Sequence, residues 1–385
     1  MLKSPLVPIF LIVSVDVLGL TIILPLLPFY AEKFGASPAA AGLLISTYAF
    51  CQLIAGPILG RMSDHLGRRP LLLVSQMGTF IGFLILAYAN ALWIIFLSRV
   101  IDGLTAGNLS LAQAYISDVT KPEERAKSFA LIGIAFGMGF LIGPGISGYL
   151  SQYSYQYPIF AAAALSATSI LATYFLLPSS TPQAADAATA RKFTVLDWGN
   201  YVRYFRQPDL APRLWQFLAF TLAFSMFMSG FPLFAERRFE WHGRPFGPKE
   251  VGYVYAYLGV LGVILQGGLI GRLVKTFGEL KLVRAGFLCG LVGLTALGFT
   301  HAIPLLLVAT AVSSSGTGVV RPVLTSLITQ KAGRSEQGVV LGLTQSLNSI
   351  AAIIAPAAGG FLIDHSLLAG WALLAAGICG VALLF

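Results

Sequence analysis

Gly60-Arg61-Met62-Ser63-Asp64-His65-Leu66-Gly67-Arg68-Arg69-Pro70 lies between two long apolar runs and gathers the charge that both of them lack. Arg61, Asp64, His65, Arg68 and Arg69 fall within these eleven residues, so the stretch is expected to be a short loop at a membrane surface with an apolar helix on either side. Its skeleton, G-R-x-x-D-x-x-G-R-R, has a fainter copy from Gly271-Arg272 to Gly278, 211 residues further on. Gly60 and Gly67 are expected to permit tight turns. Asp64 is placed to face a helix N-terminus, that of a segment starting near Gln337. Arg68 is placed to pair with Asp118, and Arg69 belongs to the same charged group.

The chain of 385 residues is 56% hydrophobic and only 11% charged, which puts it in a bilayer. Apolar segments long enough to cross about 30 Å of hydrocarbon as helices run over about 5–31, 39–60, 70–90, 92–117, 126–150 and 157–177. Six more cover about 212–235, 249–271, 282–300, 303–329, 337–361 and 367–385. They are too long and too uniformly apolar for barrel strands, so helices are the reading. Lys3 before an apolar run looks like a signal peptide, but Asp16 interrupts that run and no small-residue cleavage site follows, so the segment is expected to be retained.

Adding 211 to the starts of segments two to six lands within a residue of the starts of segments eight to twelve, and Pro144 meets Pro356 at an offset of 212. A tandem duplication follows: an all-α membrane protein of twelve transmembrane helices in two pseudo-symmetric six-helix halves, 1–177 and 212–385, with substrate bound between them. Residues 178–211 are the linker, Pro, Ser and Ala-rich at first, then a mixture of aromatic and basic residues over 195–206 that suits an amphipathic helix at the cytoplasmic face. Of 25 Lys and Arg, 18 fall on the side of the N-terminus and 5 on the other, so both termini are expected to be cytoplasmic. That distribution, rather than nucleic-acid binding, accounts for the net charge of +9.

Of the 16 acidic residues only Asp16 and Asp102 fall well inside an apolar segment, each roughly 15 Å from its end. A charge at the bilayer centre costs about 2.5–3.5 kcal/mol and is normally kept with a partner or a role. Arg99, three residues before Asp102, is the partner at hand and is also expected to reach Asp16. Two acids facing one Arg leave a surplus negative charge, which a proton or a cationic substrate would neutralise. Two readings stay open: Asp16 exchanges protons while Arg99 and Asp102 set its affinity, or Arg99 and Asp102 form a permanent structural pair and Asp16 only faces water.

Arg321, toward the cytoplasmic end of segment ten, is read as snorkelling to the interface, or else as repelling cations or holding an anionic substrate group. Tyr48, Asn108, Gln113, Gln266, Gln345 and Asn348, with Phe224 and Phe227, are candidates for lining a substrate cavity or for helix packing. Gly143 and Pro144, in a segment that also carries Gly133, Gly137, Gly139, Gly145 and Gly148, suit either tight packing or a pivot. Cys51, Cys289 and Cys379 have no metal-ligand spacing, and no nucleophile-base pairing or phosphate loop is present, so neither an enzyme, a cofactor nor nucleotide-driven pumping is indicated.

These features resemble the drug/proton antiporter branch of the major facilitator superfamily, the tetracycline/proton antiporters most of all, over nearly the whole chain. Asp16-Val17-Leu18-Gly19 followed by Leu24-Pro25-Leu26-Leu27-Pro28 is similar to the acidic first-helix signature, and Arg99 with Gly103 to the R-x-x-x-G element. Ala114-Tyr115-Ile116-Ser117-Asp118 leading to Glu124-Arg125-Ala126 resembles the helix-four exit; Gly139, Gly143-Pro144 and Gly148 resemble the fifth-helix motif of antiporters. Departures from the family pattern are His65, Leu66, Asp102 and Lys275. The resemblance implies a monomeric inner-membrane carrier that works by alternating access. It would export a lipophilic or amphipathic small molecule against inward proton flow through Asp16. The alternative is a proton symporter or lipid-linked transporter on the same frame.

Overall fold

The computed structural model describes residues 6–120, 125–178, 203–331 and 337–385. The first seven helices are α1 (Leu6–Glu32), α2 (Pro38–Leu66), α3 (Arg68–Ala87), α4 (Leu92–Thr105), α5 (Asn108–Val119), α6 (Arg125–Ser151) and α7 (Gln156–Leu176). Then come α8 (Ala211–Arg238), a hairpin of β1 (Glu240–Trp241) and β2 (Arg244–Pro245), and α9 (Pro248–Ile264). A π-turn, Leu265–Leu269, joins α9 to α10 (Ile270–Phe277), followed by α11 (Glu279–Phe299), α12 (Ile303–Lys331), α13 (Gln337–Asp364) and α14 (Leu368–Ala382). Eleven of the expected spans are long and apolar enough to cross a membrane; the twelfth forms the shorter apolar helix α14. The fold is that of an all-α multi-pass membrane protein.

Two compact units divide the described chain. One contains α1, α3 to α7 and α2 from Thr47 onward; the other contains Ala36–Ser46 and α8 to α14. Within the first, α1 packs on α6 and α7, and α3 on α4 and α7. Within the second, α8 packs on α13 and α14, and α11 on α12 and α14, the same four pairings in duplicate. The opening turns of α2 fit closely in the second unit: Gly42 abuts Pro356 and Gly360 of α13, and Ser46 donates to the Ile353 carbonyl at 2.6 Å.

The charged stretch that decided the fold is less of a loop than expected. α2 runs through Gly60 to Leu66, and Gly67 alone, at φ 93, separates it from α3. Pro70 fits because the first turn of a helix has N–H groups without intrahelical partners. Gly278, at φ 78, makes the same one-residue break before α11. At both breaks the chain needs the positive φ that glycine takes without strain; the expected turn at Gly60 is corrected to helix.

Segment four departs from a single helix. Its backbone breaks at Ala106–Gly107, where the Gly107 N–H donates to Ser75 Oγ at 2.8 Å and Ser75 Oγ donates to the Thr105 carbonyl at 2.5 Å, so one hydroxyl on α3 satisfies both sides of the break. The amphipathic helix expected over 195–206 lies almost wholly outside the described residues.

Candidate functional site

Asp16 sits mid-way along α1, half-buried, at the wall of a cavity inside the first unit of about 760 Å³, counted to its open mouth. Asp102, Tyr48 and Asn108 line the same cavity, with Gln52, Thr79 and Ser166 as further polar groups and Val13, Val17, Phe83 and Phe136 among the apolar ones. Each is there for a local reason. Gly103 has no side chain where α2 crosses α4, since a Cβ there would lie 2.6 Å from the Cys51 Cβ and 2.7 Å from the Tyr48 carbonyl. That close approach brings Tyr48 to the cavity. The break after Thr105 starts α5 at Asn108, which turns into the cavity with a buried, unpartnered Oδ1.

Arg99 and Asp102 are both 4% exposed, and Arg99 Nη1 donates to Asp102 Oδ2 at 3.1 Å. Thr79 is Asp102's second hydrogen-bonding neighbour. Arg99 also donates to Ser98 Oγ at 3.3 Å and lies over the Phe83 ring at 5.9 Å, while its Nη2 is buried with no partner. The expected reach of Arg99 to Asp16 is not what the side chains do, because the short i, i+3 path to Asp102 takes the guanidinium. Asp16 faces Ser169 of α7 and Gln76 of α3 instead, and Gln76 Nε2 donates to Ser169 Oγ at 2.8 Å.

Gln76 and Ser169 are fully buried and were missed by the sequence reading. The signal that would have found them is a polar stripe on an apolar helix, Ser166, Ser169 and Thr173 at helical spacing, of which Ser166 and Ser169 bond Gln76. Gln113 is exposed on α5 outside the cavity lining. Phe224, Phe227, Gln266, Gln345 and Asn348 belong to the second unit. There Phe227 packs against Phe231 and Tyr255, Gln266 bonds to the Gly318 carbonyl, Gln345 is exposed and Asn348 half-buried.

At the Gly67 break, Arg68 donates to Asp118 Oδ2 at 2.8 Å, as expected, and bonds Asp64 Oδ1 at 2.6 Å. Asp64 is thus held by its own neighbour. Arg69 donates to the Tyr174 carbonyl and lies over the Tyr174 ring. In α6, Gly139 and Gly143 meet Val17 and Thr21 of α1, and Thr21 Oγ1 donates to the Gly139 carbonyl at 2.9 Å; Pro144 sits inside a continuous helix. Side chains at Gly139 or Gly143 would force apart the helix that carries Asp16. Gly133 and Gly137 meet nothing within 4 Å, so packing explains only part of the glycine set.

The Major Facilitator Superfamily model matches residues 9–356 and again 267–385. The chain belongs to the major facilitator superfamily. It is 32% identical to the class E tetracycline resistance protein of Escherichia coli, over 91% of this chain and 86% of that one. It is 25% identical to the quinolone resistance protein NorA of Staphylococcus aureus, over 90% and 87%. Among solved structures, a mutant of the nucleoside transporter NupG superposes with a TM-score of 0.80 at 14% identity, covering 99% of this chain and 98% of that one; at that identity the likeness speaks for the fold alone.

Proposed function

We propose that this member of the superfamily is a proton-coupled exporter of lipophilic or amphipathic, drug-like molecules that works by alternating access. The two halves, 1–177 and 212–385, are its moving bodies, joined by 178–211. It acts as a monomer in the inner membrane with both termini in the cytoplasm, and its resistance-protein relatives support export of antibiotic-like compounds. Asp16 is the proton site, Arg99 and Asp102 hold the charge balance beside it, and the substrate enters among the cavity side chains. The cluster at Arg68, Asp64 and Asp118 biases the two access states without touching substrate.

The observation that carries this reading is the setting of Asp16: a carboxyl in the interior of a spanning helix, on a cavity wall, beside Gln76. Gln76 offers Asp16 an amide N–H as donor, and its Oε1 is buried with no partner. The same side chain therefore serves a carboxylate as donor and a carboxylic acid as acceptor. Protonation removes a charge whose presence at this depth is costly, and one proton, at about 2.3 kcal/mol per 100 mV, sustains roughly a fiftyfold gradient of a neutral substrate.

Everted vesicles containing the protein test this. Adding a tetracycline or quinolone should release lumenal protons, and Asp16→Asn should bring that release to the empty-vesicle level while binding persists. Undiminished proton release in the Asp16→Asn protein would sink the assignment. Proton uptake into step with substrate in the opposite sense would make the protein a symporter.

A further inference from the structure

Among its described residues, the second unit carries a basic side chain deep inside a spanning helix. Arg321 lies on α12 roughly 15 Å of helix from its last residue, Lys331, and its side chain is exposed. α12 packs through the opposite face, where Gly316 and Val320 press on Gly286 of α11. Gly318, one turn before Arg321 on the open face, receives a hydrogen bond from Gln266 Nε2 at 3.4 Å. Gln266 stands on the π-turn Leu265–Leu269, whose Gly267 and Gly268 meet nothing within 4 Å.

Two independent features thus converge. Among the described residues no carboxylate pairs with Arg321, and a guanidinium cannot shed its charge by deprotonation. A charge at such depth is normally kept for a partner or a pathway. Among the described residues the chain supplies no such partner. Across from it the helix widens into a π-turn, a rare element that recurs at functional sites, and this turn brings an amide donor within a turn of the arginine.

We propose that Arg321 and Gln266 form an anion-recognition subsite that takes the carboxylate, phenolate or phosphate of an amphipathic compound. The guanidinium supplies a two-pronged, charge-assisted hydrogen bond, the Gln266 amide a further donor, and Leu265 and Leu269 an apolar wall for the rest of the molecule. The subsite deepens the exporter reading by naming a substrate class, and its test reads binding without a proton gradient.

Calorimetric titration in phosphatidylcholine nanodiscs compares 2-naphthoate with its uncharged isostere 2-naphthamide. Wild type should prefer the anion by roughly tenfold. Arg321→Gln should erase that preference and leave naphthamide binding unchanged, Arg321→Lys should keep part of it, and Gln266→Leu should weaken it. Asp16→Asn should retain the preference, so loss of proton coupling and loss of anion recognition are read separately. If phosphatidylglycerol nanodiscs displace naphthoate and raise the melting temperature of wild type but not of Arg321→Gln, the anion is a lipid headgroup; if they do neither, it is a free amphiphile. No preference in wild type together with no effect of phosphatidylglycerol overturns the subsite, and so does a preference that survives in both folded Arg321 variants unchanged.

Discussion

Where α3 crosses α4, a Cβ on Gly82 would lie 3.0 Å from the Asp102 Cβ and 3.3 Å from the Ser98 carbonyl; where α11 crosses α12, one on Gly293 would lie 2.8 Å from the Ser313 Cβ and 2.6 Å from the Ala309 carbonyl. Every residue in the second set is the first plus 211. The same offset takes Arg99 to Thr310, Asp102 to Ser313 and Asp16 to Phe227. Backbone approach is repeated to the residue while the chemistry is not: the first unit places a buried ion pair and a carboxyl around a cavity, and the second fills the corresponding places with hydroxyls and an aromatic packed on Phe231 and Tyr255. Thr310 and Ser313 satisfy the same close-packed crossing without charge, both buried. The frame therefore does not require Arg99 or Asp102, which argues that they are kept for what they do.

The largest expected effect comes from giving the first unit the second unit's residues. Arg99→Thr alone leaves Asp102 buried without its partner, a change that costs about 3–5 kcal/mol for buried pairs. The double variant Arg99→Thr, Asp102→Ser removes both charges and should recover most of that loss while transport stays absent. Thermal unfolding in detergent measures the first statement and vesicle transport the second. Equal melting temperatures for single and double variants would mean that the pair is not energetically coupled, and the contrast between units would lose its physical basis.

How much of this was legible beforehand divides along the same line. Helix positions, the duplication and the two mid-membrane acids follow from apolar run length and spacing, properties that lipid imposes on every residue of a span. The Arg99–Asp102 and Arg68–Asp118 pairs were legible because opposite charges a few residues apart, or at two helix ends on one membrane face, have few other places to go. The neighbours of Asp16 were not. Gln76 and Ser169 lie on separate helices, and their facing one another depends on how α3, α7 and α1 pack, which no local pattern carries. Gly60 was misread for the opposite reason: charge density suggested a loop, but intrahelical hydrogen bonding needs only one residue, Gly67, to turn the chain.

A second, smaller effect tests the duplication by exchange. A Cβ on Gly78 of α3 would overlap Thr105 of α4; at the corresponding crossing Cys289 of α11 meets Gly316 of α12, where a Cβ would lie 2.6 Å from the Cys289 Cβ. Small and larger residues have changed sides with the total kept. Gly78→Cys should overpack the first crossing by about 1–3 kcal/mol, and adding Thr105→Gly should relieve the overlap, although Gly in a helix then costs up to about 1 kcal/mol itself. Melting temperatures of the two proteins decide it. If Thr105→Gly lowers the melting temperature further on the Gly78→Cys background, the crossings are not equivalent.

The smallest effect lies at the ends of the same helices. After Gly67, the first residue of α3 is Arg68, bonded to Asp118 at the end of α5; after Gly278, the first residue of α11 is Glu279, whose Oε1 accepts from Ser326 at 2.9 Å and Gln330 at 3.1 Å near the end of α12. One unit closes this corner with an ion pair and the other with a carboxylate and neutral donors. The Arg68 and Asp118 side chains are 17% and 31% exposed, so solvent screens them, and Arg68→Gln should cost no more than about 1 kcal/mol. Because the pair is ionic, that cost should shrink as salt is raised from low to about 1 M, where the screening length falls to about 3 Å. Glu279→Gln keeps an acceptor for both donors, so its effect should be smaller still and change little with salt. A salt-insensitive loss at Arg68 would show that the corner is held by shape in both units, and the difference between them would then be confined to the charges at membrane depth.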